Sequence, residues 1–116
     1  MSKRNDFLLL EDIIEACDKI HKYVYNLDYD DFINDDKTID AVIRNFEIIG
    51  EAANNLSIEI VNIQSNIQWR QIVGLRNRLI HNYFGVDYQI IWQVIQNNLT
   101  NFKEQIGNLL IELKSK

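Results

Sequence analysis

The chain contains no proline, four glycines, one cysteine and two histidines. Each scarcity removes a class of protein. Proline is absent and glycine is sparse, so nothing marks a flexible linker, and no repeat or low-complexity tail divides the chain. Residues 1–116 are therefore read as a single domain. Cys17 has no partner for an internal disulfide, and a reducing cytoplasm is its natural setting. No His, Cys or carboxylate spacing resembles a metal site, and neither a metal nor a cofactor is expected. No apolar run approaches the roughly 20 residues that span a bilayer. Met1 to Asp6 lead into a short apolar patch with acids behind it, unlike a signal peptide.

Positive charge is also scarce. Twelve Lys and Arg face 17 Asp and Glu, a net charge of −5, which argues against a generic nucleic-acid coat. The distribution changes that reading. Residues 1–59 carry 14 acids and 6 bases, whereas residues 60–116 carry 3 acids and 6 bases. Between Glu59 and Asp87 there is no acid, yet Arg70, Arg76 and Arg78 are there. A local cationic patch can serve an anionic ligand on an acidic protein.

What the chain has in quantity is apolar residues at helical spacing. Leu10, Ile13, Ile14, Cys17, Ile20, His21 and Val24 follow the i, i+3, i+4 rule and predict a helix over about 5–26. Cys17 lies in that pattern and reads as a small core residue rather than a reactive thiol. Tyr29 to Asp36 reads as a short helix or structured loop anchored by Phe32 and Ile33, with Asp36 or Thr38 capping the next helix. That helix carries Ile39, Val42, Phe46, Ile49, Ala53 and Leu56 on one stripe. Gly50 sits in its middle, at a cost of about 1 kcal/mol against alanine. The small run Gly50-Glu51-Ala52-Ala53 gives the reason: it admits a close neighbouring helix. Ser57 to Ile67 predicts a short helix and a loop, and Trp69 to Tyr83 another helix ending at Gly85. From Asp87, one last rod of about 40 Å is predicted. No strand pair is visible. The expected fold is all-α, an antiparallel up-and-down bundle of four main helices with one or two short ones.

The chemistry concentrates in Arg76-Asn77-Arg78-Leu79-Ile80-His81-Asn82-Tyr83. An arginine offers a planar, permanently charged fork for phosphate oxygens. A histidine gives or takes a proton near neutral pH. At about 100° per residue, Asn77 and His81 are nearly aligned, while Arg76 and His81 stand about 140° apart. The long Arg76 side chain can still wrap toward the same pocket. The bland alternative has Asn77 and His81 satisfying each other while both arginines point into water.

The stretch from Trp69 to Asp87, with its Arg-x4-His and His-x-Tyr spacings, resembles the signature of the HEPN superfamily in its HepT-like branch. So does Ala41 to Ser57, through its Ile-Gly-Glu-Ala core, and Ile91-Trp92 continues the likeness. The resemblance implies an all-helical homodimer, the toxin of a toxin–antitoxin pair, acting as a metal-independent RNA endonuclease. It implies a partner antitoxin like MntA, a small nucleotidyltransferase that silences the toxin by attaching AMP to a tyrosine. It places the catalytic motif on Arg76, Asn77 and His81 and the modified tyrosine on Tyr83, with Arg78 as a second arginine able to share or swap the role of Arg76.

Other residues admit two readings. Glu51 is either part of a solvated charge pattern with Arg44 and Glu47 or the carboxylate that orients an active-site arginine. His21 reads as a packed or interface histidine. Trp69 and Trp92 read as core or interface anchors, with base stacking the lesser alternative. The alternative to a nuclease is a catalytically silent binding subunit that docks a small nucleotidyltransferase and binds nucleotide.

Overall fold

A computed structural model of the chain describes residues 5–64, 66–81 and 87–115, and for Ile80 and His81 the backbone alone. The described residues form an all-α bundle without strands: α1 (Asp6–Val24), α2 (Tyr29–Ile33), α3 (Asp36–Asn55), α4 (Ile58–Ile63), α5 (Trp69–His81), α6 (Tyr88–Asn97) and α7 (Leu99–Lys114). α3 packs between α1 and α5, and α7 lies along α1.

Local signals start the helices. The side chains of Asn5, Asp28, Asp35, Ser57 and Asp87 accept hydrogen bonds from the first-turn amides of α1, α2, α3, α4 and α6. Each satisfies an amide that has no partner inside its helix. Asp35 caps α3, one residue before the earlier of the two positions the sequence suggested. Its carboxylate accepts from the Thr38 amide at 3.1 Å and from the Thr38 hydroxyl at 2.7 Å, so Thr38 serves the cap from within the helix.

The predicted stripes are the core. Leu10, Ile13, Cys17 and Ile20 of α1 are fully enclosed, as are Val42 of α3 and Ile106 and Leu109 of α7. Ile14 and His21 lie at the edge of the stripe and are only half-buried. Phe32 of the short α2 is sealed, its ring 5.2 Å from that of Trp92. Trp69 meets Phe102 edge-on and donates its indole N–H to the Gln64 carbonyl. Both tryptophans thus act as packing anchors.

Polar contacts fix the helix directions. The Asp6 carboxylate, at the start of α1, accepts from the amide (2.9 Å) and hydroxyl (2.7 Å) of Ser57, just past the end of α3. The first turn of α1 therefore meets the last turn of α3, and the two run antiparallel. Lys103 pairs with Asp18, and Lys114 lies over the Phe7 ring, so α7 also runs against α1.

The final rod differs from expectation. It is divided at Asn98, where φ is −123° and ψ −33°. The Asn97-Asn98 pair stands at the division, and asparagine is a poor helix former whose amide competes for backbone groups. Residues of both α6 and α7 lie across a cavity from α5.

Candidate functional site

α5 carries the candidate chemistry, and α3 positions it. Gly50 of α3 is buried. A Cβ placed there would lie 2.1 Å from Cβ and 2.6 Å from Cγ of Arg76. Only glycine allows α5 to come this near, which is the close approach that the small run on α3 predicted. The contact seats the root of the Arg76 side chain against the α3 backbone and leaves its head at the surface, with the side chain 24% exposed.

Two groups then hold the guanidinium. Its Nη2 donates to Oε2 of Glu51 at 2.5 Å, and its Nη1 donates to Oδ1 of Asn77 at 2.9 Å. Glu51, one residue past the glycine, is 56% exposed at its side chain. The Arg76 Nε is buried without a hydrogen-bond partner among the described residues. A guanidinium fixed at its base by packing and at its tip by a carboxylate and a carboxamide is pre-organised, so little rotamer freedom remains to be lost on meeting an anion.

The structure thus brings together Arg76, Asn77 and Glu51. Arg44 and Glu47 are not part of this contact; Glu51 pairs with Arg76 across the two helices. Arg78 stands apart. Two residues on from Arg76, and so about 200° around the helix, it lines a different feature: a cavity of about 510 Å³ bounded by α3, α5, α6 and α7. Arg76 does not line it. Arg78 therefore does not occupy the setting of Arg76. The His81 side chain and the whole of Tyr83, as well as Gly85 at the expected helix end, lie outside the described residues.

Sequence reasoning missed the polar lining of that cavity. The signal was present: Gln71, Gly74, Leu75 and Arg78 recur at i, i+3, i+4 and i+7 on one face of α5, and Asn101 and Gln105 face them from α7. Among the described residues, no group of three or more His, Cys, Asp or Glu is arranged to hold a metal ion. No described helix is long and apolar enough to cross a membrane.

Comparison with known proteins agrees with this architecture. The family model described as Ribonuclease HepT-like matches residues 13–109. The chain is 37% identical over 107 residues to "Probable ribonuclease HepT" of Thermococcus cleftensis, covering 92% of this chain and 97% of that one. It is 38% identical over 106 residues to "Putative RNase MJ1380" of Methanocaldococcus jannaschii, covering 91% of this chain and 97% of that one. "Putative RNase TTE0752" of Caldanaerobacter subterraneus is 38% identical over 101 residues, covering 87% of this chain and 90% of that one. No solved structure matches the chain. The chain is a helical protein of the HEPN superfamily and belongs to its HepT-like family.

Proposed function

We propose that the protein is a metal-independent RNA endonuclease, the toxin of a toxin–antitoxin pair, acting as a homodimer. Membership of a ribonuclease family supports the reaction class. The observation that carries the residue assignment is the fixing of Arg76 by Gly50, Glu51 and Asn77. A cationic fork held in one geometry stabilises charge that develops on a phosphate without reorganising first.

The reaction follows from the chemistry of RNA. A base removes the proton of a 2′-hydroxyl, and the oxygen attacks the adjacent phosphorus. The bond to the 5′-oxygen breaks, and an acid protonates that oxygen as a 2′,3′-cyclic phosphate forms. One protomer has a single motif histidine. In a two-fold dimer with the α5 helices facing, one His81 acts as base and the other as acid, while Arg76 and Asn77 hold the phosphate. An MntA-like nucleotidyltransferase silences the site by attaching AMP to Tyr83, adding bulk and negative charge where the RNA backbone must lie. The acid-free stretch of α5 favours the same ligand.

The second reading is a silent subunit that docks the nucleotidyltransferase and binds nucleotide. One observation favours it: the Arg76 guanidinium is already paired with Glu51, which competes with phosphate. RNA cleavage in EDTA by wild type and by His81→Ala separates the two. Cleavage by the wild type alone, with equal helicity in both proteins, supports the enzyme. Equal cleavage by both removes His81 from the mechanism, and cleavage by neither supports the silent subunit.

A further inference from the structure

The cavity beside α5 has a composition that the phosphate site does not account for. Its floor is apolar, formed by Ile49, Leu75, Leu99 and Phe102. Its rim is unusually rich in carboxamides: Gln71 from α5, Asn98 at the division between α6 and α7, and Asn101 and Gln105 from α7. Arg78 is the one charged side chain among the described lining residues. At about 510 Å³ the space falls in the range of small-ligand sites.

Gly74 supplies an independent argument. It lies in the middle of α5 and lines the cavity. Glycine weakens a helix interior. Gly50 has a reason for that cost, since a Cβ there would strike Arg76. A Cβ at Gly74 would meet nothing within 4 Å. Packing within the described chain therefore requires glycine neither at 74 nor at 107; Gly74 differs in lining the cavity, where it leaves the α5 backbone open to a ligand.

From this chemistry we infer that the groove is a nucleobase-reading subsite for the RNA strand, an inference that rests on the ribonuclease reading for its ligand class. A carboxamide presents a donor and an acceptor side by side, the pattern that pairs with a base edge. The apolar floor receives the faces of a heterocycle. The lone guanidinium takes one backbone phosphate, and the described lining holds no carboxylate to repel it. Position 81 lies seven residues, close to two turns, beyond Gly74 along α5. A strand lying in the groove therefore runs along the helix that bears the catalytic motif. Phosphate stabilisation and base selection are divided between Arg76 on one face of α5 and the Arg78 groove on another.

The test uses fluorescent 2′-O-methyl RNA hexamers of A, C and U, which lack the attacking hydroxyl and stay intact on the wild-type protein. Anisotropy in EDTA gives affinities for wild type, Gln71→Ala/Gln105→Ala, Arg78→Ala and Gly74→Ala. The expected result is unequal affinity among the three hexamers in the wild type. That discrimination falls by about tenfold in the double variant, the scale of one bidentate base contact. Arg78→Ala weakens all three alike and lowers the slope of log affinity against log salt by about 0.7. Gly74→Ala raises the melting temperature yet loses affinity. Undiminished discrimination in the double variant overturns the inference, as does a wild type that does not discriminate. Dissociation of an oligomer in the double variant, seen by light scattering, also overturns it by giving the groove to a second copy of the chain. Cleavage of unmodified RNA is followed in parallel. If it is absent while the variants shift base preference, the subsite stands and the nuclease reading falls. If RNA is cut while base preference is the same in every variant, the nuclease reading stands and the subsite falls.

Discussion

Gly50→Ala is the sharpest probe of the α3–α5 junction. The new methyl group would lie 2.1 Å from the Arg76 Cβ, an atom attached directly to backbone and unable to swing aside. Restoring an ordinary contact of at least 3.4 Å moves α5 away from α3 by about 1.3 Å. Two effects oppose each other. Removing glycine from a helix interior contributes about 1 kcal/mol of stability. Forcing extra volume into a packed contact costs about 1–3 kcal/mol. Gly107→Ala isolates the first effect, because a Cβ there meets nothing within 4 Å. The two variants should therefore differ by about 1–3 kcal/mol, with Gly50→Ala the less stable. In a chain of this size that separates their melting temperatures by about 4 °C or more. Thermal unfolding followed by circular dichroism reads the difference. The same shift displaces the Arg76 guanidinium, and a misplacement of about 1 Å can cost on the order of 100-fold in rate. RNA cleavage by Gly50→Ala should fall well beyond its loss of folded protein at room temperature. If Gly50→Ala melts as high as Gly107→Ala, the close approach is not a constraint on the fold and the argument for Arg76 fails with it.

Three further outcomes follow from contacts away from that junction. Asp6→Ala should lose about 2 kcal/mol in urea unfolding, because its carboxylate accepts two hydrogen bonds from partly buried Ser57; adding Ser57→Ala should cost only the further loss of its cap on α4, about 1 kcal/mol, and full additivity of the two single losses would show that the residues act separately. Burial pushes the Cys17 thiol up to about 12, helped by neighbouring Asp18, so a disulfide reagent at mildly alkaline pH should label it only as fast as the protein unfolds, and prompt labelling of the native protein would contradict its place in the core. The Thr38 hydroxyl and amide hold the Asp35 carboxyl below the usual carboxylate range. A lowered folded-state pKa contributes stability above the unfolded value of about 3.9 and loses it as pH falls through the folded value. Asp35→Asn should therefore be less stable than wild type at neutral pH, with the gap closing below about pH 4; a constant gap would mean that the charged form of the cap is not what matters.

How much of this was legible in the residues depended on the range of the interaction. Stripes such as Ile39, Val42, Phe46 and Ile49 are local patterns, and the helices they predict are present. Gly50 was legible because a glycine in a helix interior is costly and asks for a neighbour. Its partner was not, since no spacing rule says that residue 50 meets residue 76. The division at Asn98 was hidden by a longer regularity: the apolar stripe continues from Ile91 to Leu113, and two asparagines are a weak local signal against it. The tie between Asp6 and Ser57 spans 51 positions and has no local signature at all. The groove was hidden for another reason. Periodicity is read from apolar residues, and the polar groups of this groove, Gln71 and Arg78 on α5 and Asn101 and Gln105 on α7, fall outside it. Glutamine and asparagine at helical spacing read as a solvated face until another helix is known to bear the same groups opposite them.

The two arginines show why residue type and spacing alone leave roles open. Arg76 and Arg78 have the same charge and reach, and in the sequence either could hold a phosphate. The fold separates them through what surrounds their bases. Arg76 has its Cβ against a helix that lacks one, so its first bonds are fixed and its head meets Glu51. Among the described residues Arg78 has no such buttress: it is exposed at the edge of a groove, and its polar neighbours described there are amides rather than acids. A fixed guanidinium suits a charge that appears at one point for a short time, as in a transition state. A free one suits a backbone phosphate whose position varies with the bound sequence. On the nuclease reading, exchanging the two requires moving the glycine and the glutamate as well, because the specialisation of Arg76 resides in Gly50 and Glu51 as much as in the arginine itself.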